Sequence, residues 1–507
     1  MKIEEMIASN RADCSGCEAC ANICPKNAIS MIRDAEGFAY PKIDPALCIQ
    51  CGKCDATCPA LNFTKKTATE LPPTFAAIYN NKKILRHSSS GGIFSALSEI
   101  VLKNGGVVFG AGFDKDWRVF HTSARNEDEL ENLRGSKYVQ SRIGDVYRQV
   151  KEALKSTSVL FSGVPCQCAG LKHFLGKDYD NLLTVEIICH AVGSPALWEN
   201  YIDEIGYSHE ISNIKFRSKR NGWSSKIYMD INFFDQGHII SHVVNNLYGR
   251  FFLRNLSLRP SCSSCKFRFP NGQSDLSLGD AWGVQDFARK MLDNRGVSVV
   301  FIHTAKGKEF FEKADLKVQQ VNFTDAINKN KLFISPTVCD SRRETFFADL
   351  ANSEDWFSVM KKYYDKDDRE FTKERSDKQR DLYEENLQEI LSSVRRQFEQ
   401  NVLVVASVRN NEEQKLLSDF FDKNFKNCGV YLLQPKDEGQ LVCTEKFSGI
   451  KFDLKDAAEL TDFVKNYNLT EIFVEKPLDD FGESMSLIID WLNDCGLPVK
   501  DFSAKTD

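Results

Sequence analysis

Eight of the 17 cysteines fall in the first 58 residues, at positions 14, 17, 20, 24, 48, 51, 54 and 58. They form a repeat. Cys14-Ser-Gly-Cys17-Glu-Ala-Cys20-Ala-Asn-Ile-Cys24-Pro25 is answered by Cys48-Ile-Gln-Cys51-Gly-Lys-Cys54-Asp-Ala-Thr-Cys58-Pro59, each half a C-x2-C-x2-C-x3-C-P run. Three thiolates at this spacing wrap three irons of a cubane, and the fourth, redirected by its proline, reaches the cubane of the other half. The expected ligands of one [4Fe–4S] cluster are therefore Cys14, Cys17, Cys20 and Cys58, and of the second Cys48, Cys51, Cys54 and Cys24. Zinc is the alternative, but it takes ligands in C-x2-4-C pairs and has no use for interlocked runs. Two clusters this close pass single electrons.

Five further cysteines lie mid-chain, at 166, 168, 189, 262 and 265, and no local run explains them. Cys166 follows the apolar stretch Val159–Ser162, and Cys189 follows Leu183–Ile188. Both stretches read as strands, and ligands of an open parallel sheet gather at the carboxyl ends of its strands. Cys262-Ser-Ser-Cys265 adds a C-x2-C pair, so four thiols are on hand for a third cluster. Buried structural cysteines, a zinc site or a redox-active pair remain open on spacing alone. Cys168 reads as a packing residue, and Cys339, Cys428, Cys443 and Cys495 as ordinary buried thiols.

The elements that must position these residues alternate. Thr74–Tyr79 is strand-like, Ser88–Gly92 is a helix entry, and Ile93, Phe94, Leu97, Ile100 and Val101 recur with helical period. Gly105-Gly106 ends that helix before a strand at Val107–Phe113. A helix over Arg148–Leu154 follows, and the pattern implies a mainly parallel α/β core. Residues 211–258 are rich in strand formers, with no clear helix. Segment 361–380 holds 14 charged residues of both signs and reads as a solvated connector ahead of a helix over Leu382–Phe398. Residues 401–507 restart an α/β pattern, with strands at NVLVVAS, VYLLQ and EIFVEK and helices over Lys415–Phe425 and Met485–Leu492. The expected fold class is thus α+β and α/β in several domains: a ferredoxin domain at 1–65, a central α/β domain at 72–345, a charged helical connector at 346–400, and an appended α/β domain at 401–507.

From 74 to 345 the chain resembles the beta subunit of coenzyme F420-reducing hydrogenases and dehydrogenases, a family that includes 7-hydroxymethyl chlorophyll a reductase. The resemblance rests on Ser89-Ser90-Gly91-Gly92, Gly135-Ser136-Lys137-Tyr138, Gly163-Val164-Pro165-Cys166-Gln167 and Ile188-Cys189-His190. It rests equally on Phe216-Arg217-Ser-Lys219-Arg220-Asn221-Gly222-Trp223, Cys262-x2-Cys265 and Asp275-Leu-Ser277-Leu-Gly279-Asp280-Ala-Trp282-Gly283. Residues 190–195 depart from the family's usual Gly and first Pro. The resemblance implies FAD beside a third [4Fe–4S] cluster on Cys166, Cys189, Cys262 and Cys265. It places Ser90, Gly91, Gly92, Gly135, Ser136, Lys137, Tyr138, Ser277, Gly279 and Asp280 at the flavin. Ser90-Gly91-Gly92 suits a pyrophosphate because it opens a helix at the positive end of its dipole, although a plain cap has the same sequence. His190 is the one candidate for proton donation, and Arg217, Lys219 and Arg220 form a cationic group for an anionic substrate or a solvated strand edge.

Composition narrows the rest. Lys+Arg number 66 against Asp+Glu 71 in 507 residues, so no basic excess points to nucleic acid. The first residues lack an apolar export signal, and no apolar run approaches the roughly 20 residues that cross a bilayer. The expectation is a cytoplasmic iron–sulfur flavoprotein oxidoreductase with three [4Fe–4S] clusters and FAD. It would trade single electrons with a ferredoxin-like partner and hydride with coenzyme F420 or another small organic substrate. The alternative is an electron-transfer subunit whose catalysis lies on a partner.

Overall fold

The structure is a computed structural model. It describes residues 2–395 except 206–210, 221, 224–226, 235–236 and 365–368, and six strands between 400 and 501. The chain divides into two compact units, one of residues 1–66, 72–321 and 326–387, the other of 67–71, 322–325 and 388–507.

In the first unit the cysteine runs lie around an antiparallel hairpin of β1 (Ile29–Arg33) and β2 (Ala39–Ile43). Two short helices, Ala19–Ile23 and Lys53–Thr57, carry the third cysteine of each run. Each helix is entered through a left-handed residue, Glu18 (φ 59°) and Gly52 (φ 68°). That turn is strained for glutamate, and two backbone N–H groups hold its carboxylate in place, as described below.

The core is one eight-stranded mixed sheet. Its strands are β3 (Thr74–Tyr79), β4 (Val107–Phe113), β5 (Val119–Ala124), β6 (Val159–Gly163), β7 (Leu182–Ile187), β11 (Leu276–Asp280), β12 (Ser298–Ile302) and β13 (Leu316–Gln320), in the order β13-β3-β12-β11-β7-β6-β4-β5. The parallel core expected from the sequence is confined to β4, β6, β7 and β11. The flanking pairs are antiparallel, because β5 returns through a tight turn and β3 lies between β12 and β13, which are joined by the helix Ala305–Lys313. All of β6, and all of β7 but Ile187, is buried, which is why VLFSG and LLTVEI carry almost no alternation.

Inserted between β7 and β11 is a three-stranded antiparallel sheet of β8 (Ile211–Ser218), β9 (Tyr228–Phe233) and β10 (His238–His242). A helix not anticipated from the sequence follows at Leu247–Leu253, capped by Asn246, whose side chain accepts from the Gly249 N–H. Its residues Tyr248, Gly249, Phe251 and Phe252 are all buried, so no polar face marks its period. The charged stretch also differs from the expectation. A helix at Trp356–Tyr364 precedes one long helix, Arg369–Arg395, that takes in most of those charges, with Lys378 bound to Glu374 and Arg380 to Asp377 one turn away.

The second unit holds a six-stranded sheet of β14 (Gln400–Val405), β15 (Cys428–Pro435), β16 (Leu441–Glu445), β17 (Lys451–Leu454), β18 (Leu469–Val474) and β19 (Val499–Asp501), ordered β17-β16-β15-β14-β18-β19. The three strands read from the sequence are its parallel centre, and the antiparallel pair β16 and β17 is additional. The expected helices over 415–425 and 485–492, and the last residues, 396–398, of the helix expected over Leu382–Phe398, lie outside the described residues.

Candidate redox centre

Twelve cysteines line three pockets, four to each. One pocket is walled by Cys14, Cys17, Cys20 and Cys58, and a second by Cys24, Cys48, Cys51 and Cys54. The third gathers Cys166, Cys189, Cys262 and Cys265, residues up to 99 positions apart in sequence. Strand register explains half of that convergence. Gly163 of β6 pairs with Glu186 of β7, and each is followed three residues on by a cysteine, Cys166 and Cys189. The 3-10 turn Pro260–Ser264 then brings Cys262 and Cys265 to the same place. Among the described residues no three His, Cys, Asp or Glu side chains are grouped to hold a single metal ion. The thiols stand around the pocket walls instead, an arrangement that suits the four corners of a cubane.

Burial differs among the twelve. Cys51 is exposed, Cys17, Cys20 and Cys58 are buried, and Cys14, Cys24, Cys48, Cys54 and the four thiols of the third pocket are half-buried. Burial, reinforced by the neighbouring thiols, pushes Cys17 up to about 12, and burial pushes Cys189 up to about 11 despite Arg268. A metal centre at these sites must displace protons to bind. Cys168, fully buried on the helix Pro165–Leu175, packs with Tyr147, Phe161 and Leu171 and lines none of the three pockets. Cys339 packs with Ala191, Phe252 and Leu258 beside Cys262.

The N-terminal segment is locked onto the sheet. Glu18 accepts from the Ile143 and Gly144 N–H groups (3.1 and 3.0 Å), and Asn22 donates to the Gly144 carbonyl (2.7 Å). Arg148 caps the first short helix by donating to the carbonyls of Ala21, Asn22 and Cys24. Arg33 forks onto Glu199 at 2.9 Å, and Arg343 pairs with Glu36. A Cβ at Gly170 would lie 3.1 Å from the Cys17 sulfur, so the helix that begins at Pro165 and carries Cys166 runs directly past the first pocket.

Of the residues expected at a flavin, Lys137, Tyr138, Ser277, Gly279 and Asp280 are engaged with other partners, while Ser90, Gly91, Gly92, Gly135 and Ser136 gather at the entry to the helix Ile93–Lys103. Gly92 (φ 80°) stands at its N-cap and supplies no side-chain cap, which leaves the first N–H groups available to an anion. Ser90 donates to the Val297 carbonyl, Gly91 N–H donates to Ser298 Oγ, and Ser136 N–H donates to Ser89 Oγ, so the loop at 135–136 is tied to this entry. Gly135 (φ 84°) has open space where a Cβ would stand. The Lys137 ammonium turns inward to the carbonyls of Ala111, Asn132 and Arg134, and burial lowers it to about 7 against the pull of Glu131. Tyr138 stacks on Phe252 with centroids 4.6 Å apart. Ser277 donates to Glu186 and meets His303, Gly279 is closed over by Ile188, and Asp280 takes Arg217 and the Trp223 indole N–H. The cationic group is likewise engaged: Lys219 donates to three carbonyls and Arg220 pairs with Asp230 at 3.3 Å. His190 is hydrogen-bonded to Asn255 Oδ1 at 2.6 Å, and burial lowers it to about 4, so it is neutral.

Sequence reading missed the buried arginines that organise the centre. Arg259 is 0% exposed and Arg268 5% exposed. Their one signal is position: each occupies an apolar slot, in Leu-Ser-Leu-Arg259-Pro and Lys-Phe-Arg268-Phe, where a charge must find partners.

Residues 74–147 match the N-terminal model of the coenzyme F420 hydrogenase/dehydrogenase beta subunit, residues 156–327 match the C-terminus model of the same protein, and residues 13–62 match the 4Fe-4S dicluster domain. The class is that of iron–sulfur electron-transfer proteins of mixed α/β architecture. The chain belongs to the family of coenzyme F420 hydrogenase/dehydrogenase beta subunits, with a 4Fe-4S dicluster domain at its N-terminal end. An uncharacterized protein of Methanocaldococcus jannaschii is 24% identical over 347 residues, covering 61% of this chain and 88% of that one. A component of the F(420)H(2) dehydrogenase of Methanosarcina mazei is 25% identical over 176 residues, covering 33% of this chain and 49% of the relative, so the match spans about half of that protein. Among solved structures, the F420-reducing [NiFe] hydrogenase complex from Methanosarcina barkeri contains a similar chain, at 19% identity and a TM-score of 0.37, with 50% of this chain and 84% of that one covered. No helix among the described residues is long and apolar enough to cross a membrane.

Proposed function

We propose that the protein is an iron–sulfur flavoenzyme with three [4Fe–4S] clusters and one FAD. Its substrate is a deazaflavin of the coenzyme F420 type or another hydride-exchanging organic molecule. The observation that carries this reading is the sorting of twelve cysteines into three pockets of four. When bound, the clusters supply one-electron transfer and the flavin couples pairs of electrons to hydride chemistry.

The chain's own residues do the positioning. Cys24, Cys48, Cys51 and Cys54 hold the outermost centre, where Leu47 and Ile49 are 51% and 56% exposed and Lys26 and Lys53 are also exposed. An apolar patch ringed by lysines suits an acidic redox carrier. Cys14, Cys17, Cys20 and Cys58 hold the middle centre, and Ala12, Asp13 and Ser15, beside Cys14, line the pocket of Cys166, Cys189, Cys262 and Cys265. The route would run from the pocket of the exposed Cys51, through that of the buried Cys17 and Cys20, to the pocket at the sheet. Gly92 and the N-terminus of the helix Ile93–Lys103 would receive the diphosphate of FAD, with Ser136 tied beside them through Ser89. Lys137 shapes that loop from within, since its ammonium is already taken by three carbonyls.

The test is anaerobic turnover by the isolated chain, with dithionite or a reduced ferredoxin as donor and coenzyme F420, NAD(P) and other organic acceptors offered in turn. Reduction of the flavin with no turnover of any acceptor favours the second reading, an electron-transfer subunit with catalysis on a partner. The name of the Methanosarcina mazei relative, which makes it one component of a dehydrogenase, supports that alternative. The sheet of β14 to β19 carries no cluster motif and fits partner recognition in either case.

A further inference from the structure

The pocket of Cys166, Cys189, Cys262 and Cys265 is lined by a side chain that the three-cluster reading does not use. Arg268 lies three residues beyond Cys265, is 5% exposed, and faces the same pocket as the four thiols. Its partners are neutral: one terminal nitrogen donates to the carbonyls of Cys189 and Leu332, and the other donates to the carbonyl of His190 at 3.0 Å. Its Nε is buried with no hydrogen-bond partner. A guanidinium cannot shed its charge, and a buried cation without a counter-ion costs several kcal/mol. The groups able to become anionic around it are Cys265, Cys189 and Cys262, together with the buried Glu186, which already accepts from Ser274 and Ser277. Arg268 is thus a fixed positive charge with no carboxylate hydrogen-bonded to it, set against the thiols of the pocket.

The neighbouring pocket of Cys14, Cys17, Cys20 and Cys58 has neither lysine nor arginine among its lining residues, and its buried cation, Arg259, stands outside that lining and donates to the Cys14 carbonyl. At the sheet-side pocket the other cation, Lys266, pairs with Asp13 at 3.6 Å and is partly exposed, so Arg268 is the buried one.

We propose that Arg268 tunes the redox potential of the cluster held by Cys166, Cys189, Cys262 and Cys265, raising it above the value the same cluster would have without that charge. The inference rests on the three-cluster reading. Uptake of one electron adds one negative charge to the cluster and neither forms nor breaks a bond. A buried cation favours the reduced form. Arg268 acts as a positioning and tuning residue. It also ties down the backbone of residues 189–190, and the test must separate these two roles.

The experiment is an EPR-monitored redox titration of the reconstituted full chain, comparing wild type with Arg268→Gln, Arg268→Met and Arg268→Lys. The neutral variants are expected to keep three clusters. Their sheet-side cluster should become harder to reduce by at least tenfold in the one-electron equilibrium, about 59 mV, while the two ferredoxin-type signals stay in place. Arg268→Lys, which keeps the charge without the fork, should titrate close to wild type. If both neutral variants lose the cluster and the lysine variant retains it, the positive charge is required and the proposal stands. Neutral variants with the wild-type potential, or a lysine variant that loses the cluster as fully as they do, overturn it in favour of a tether. A wild-type chain with only two cluster signals would instead contradict the three-cluster reading itself.

Discussion

The Nε of Arg259 donates to the carbonyl oxygen of Cys14 across 2.9 Å, and the same guanidinium reaches Gln140 Oε1 at 2.8 Å and the Ala39 carbonyl at 3.1 Å. It lies over the Tyr40 ring at 4.4 Å and is fully buried. One side chain therefore joins the turn that carries Cys262 to the run that carries Cys14. A Cβ at Gly16 would lie 2.7 Å from that guanidinium, so glycine is what lets the run approach. Replacing Arg259 by leucine leaves buried carbonyls without donors, and should cost on the order of 3 kcal/mol in denaturant unfolding. It should also slow flavin reduction by an external carrier more than flavin reduction by dithionite. A variant with unchanged stability would show that this contact does not hold the two parts together.

Cys166 and Cys168 stand two positions apart on one helix and face different surroundings. Cys166→Ser should remove about four irons per chain and interrupt electron flow to the flavin, while leaving both ferredoxin-type signals. Cys168→Ser should keep every cluster and lose roughly 1–2 kcal/mol, because a hydroxyl replaces a buried sulfur beside Phe161 and Leu171. Iron analysis and thermal unfolding of the two variants decide the assignment. A silent Cys166→Ser would refute it.

The proposed contact point for an external carrier is the exposed Cys51 with its apolar neighbours Leu47 and Ile49. Ile49→Asp combined with Lys53→Glu should raise KM for a reduced acidic carrier roughly tenfold, since the variant meets that carrier with like charge. Reduction by dithionite, which needs no docking, should be unchanged. Equal effects on both donors would place the entry point elsewhere.

Acid should destabilise the fold through two buried histidines. His121, held between Ser141 Oγ (2.7 Å) and the Ser162 carbonyl (3.1 Å), is lowered by burial to about 4. His303, against Ser277 Oγ, is lowered by burial to about 4 despite Asp275. Each folded value lies below the ordinary 6.5, so the unfolded chain binds more protons in that interval. Stability is then full above about pH 6.5 and falls as pH drops toward 4, by on the order of 3 kcal/mol for each histidine. Denaturant midpoints measured across this range should slope less in His121→Asn than in wild type. Parallel slopes would exclude His121 as a source.

The sequence made much of this legible, for physical reasons that differ by element. The N-terminal runs were readable because their ligands are local, and the spacing of the cysteines alone encodes interlocked cubanes. Strands β3, β4, β6 and β7 were readable to within a residue or so because buried strands in the middle of a sheet are short, apolar and bounded by glycine or polar breaks. The helix Leu247–Leu253 was hidden because Arg250 is its one charged residue and too little to mark a polar face, and the long helix Arg369–Arg395 because its charges resemble those of a solvated connector. The convergence of Cys166 with Cys189 was expected because each follows a strand, and the register of β6 against β7 supplies the exact match. Arg259 and Arg268 were invisible, because a lone arginine acquires meaning only when the fold shows what surrounds it.

The central claim is that one chain holds three cubanes and a flavin, and the most direct test is the iron, sulfide and FAD content of anaerobically reconstituted full-length protein. Four irons at each of three pockets predict about 12 irons, about 12 sulfides and about one FAD per chain. About eight irons, zinc in place of iron, or a chain that takes up no flavin would contradict it.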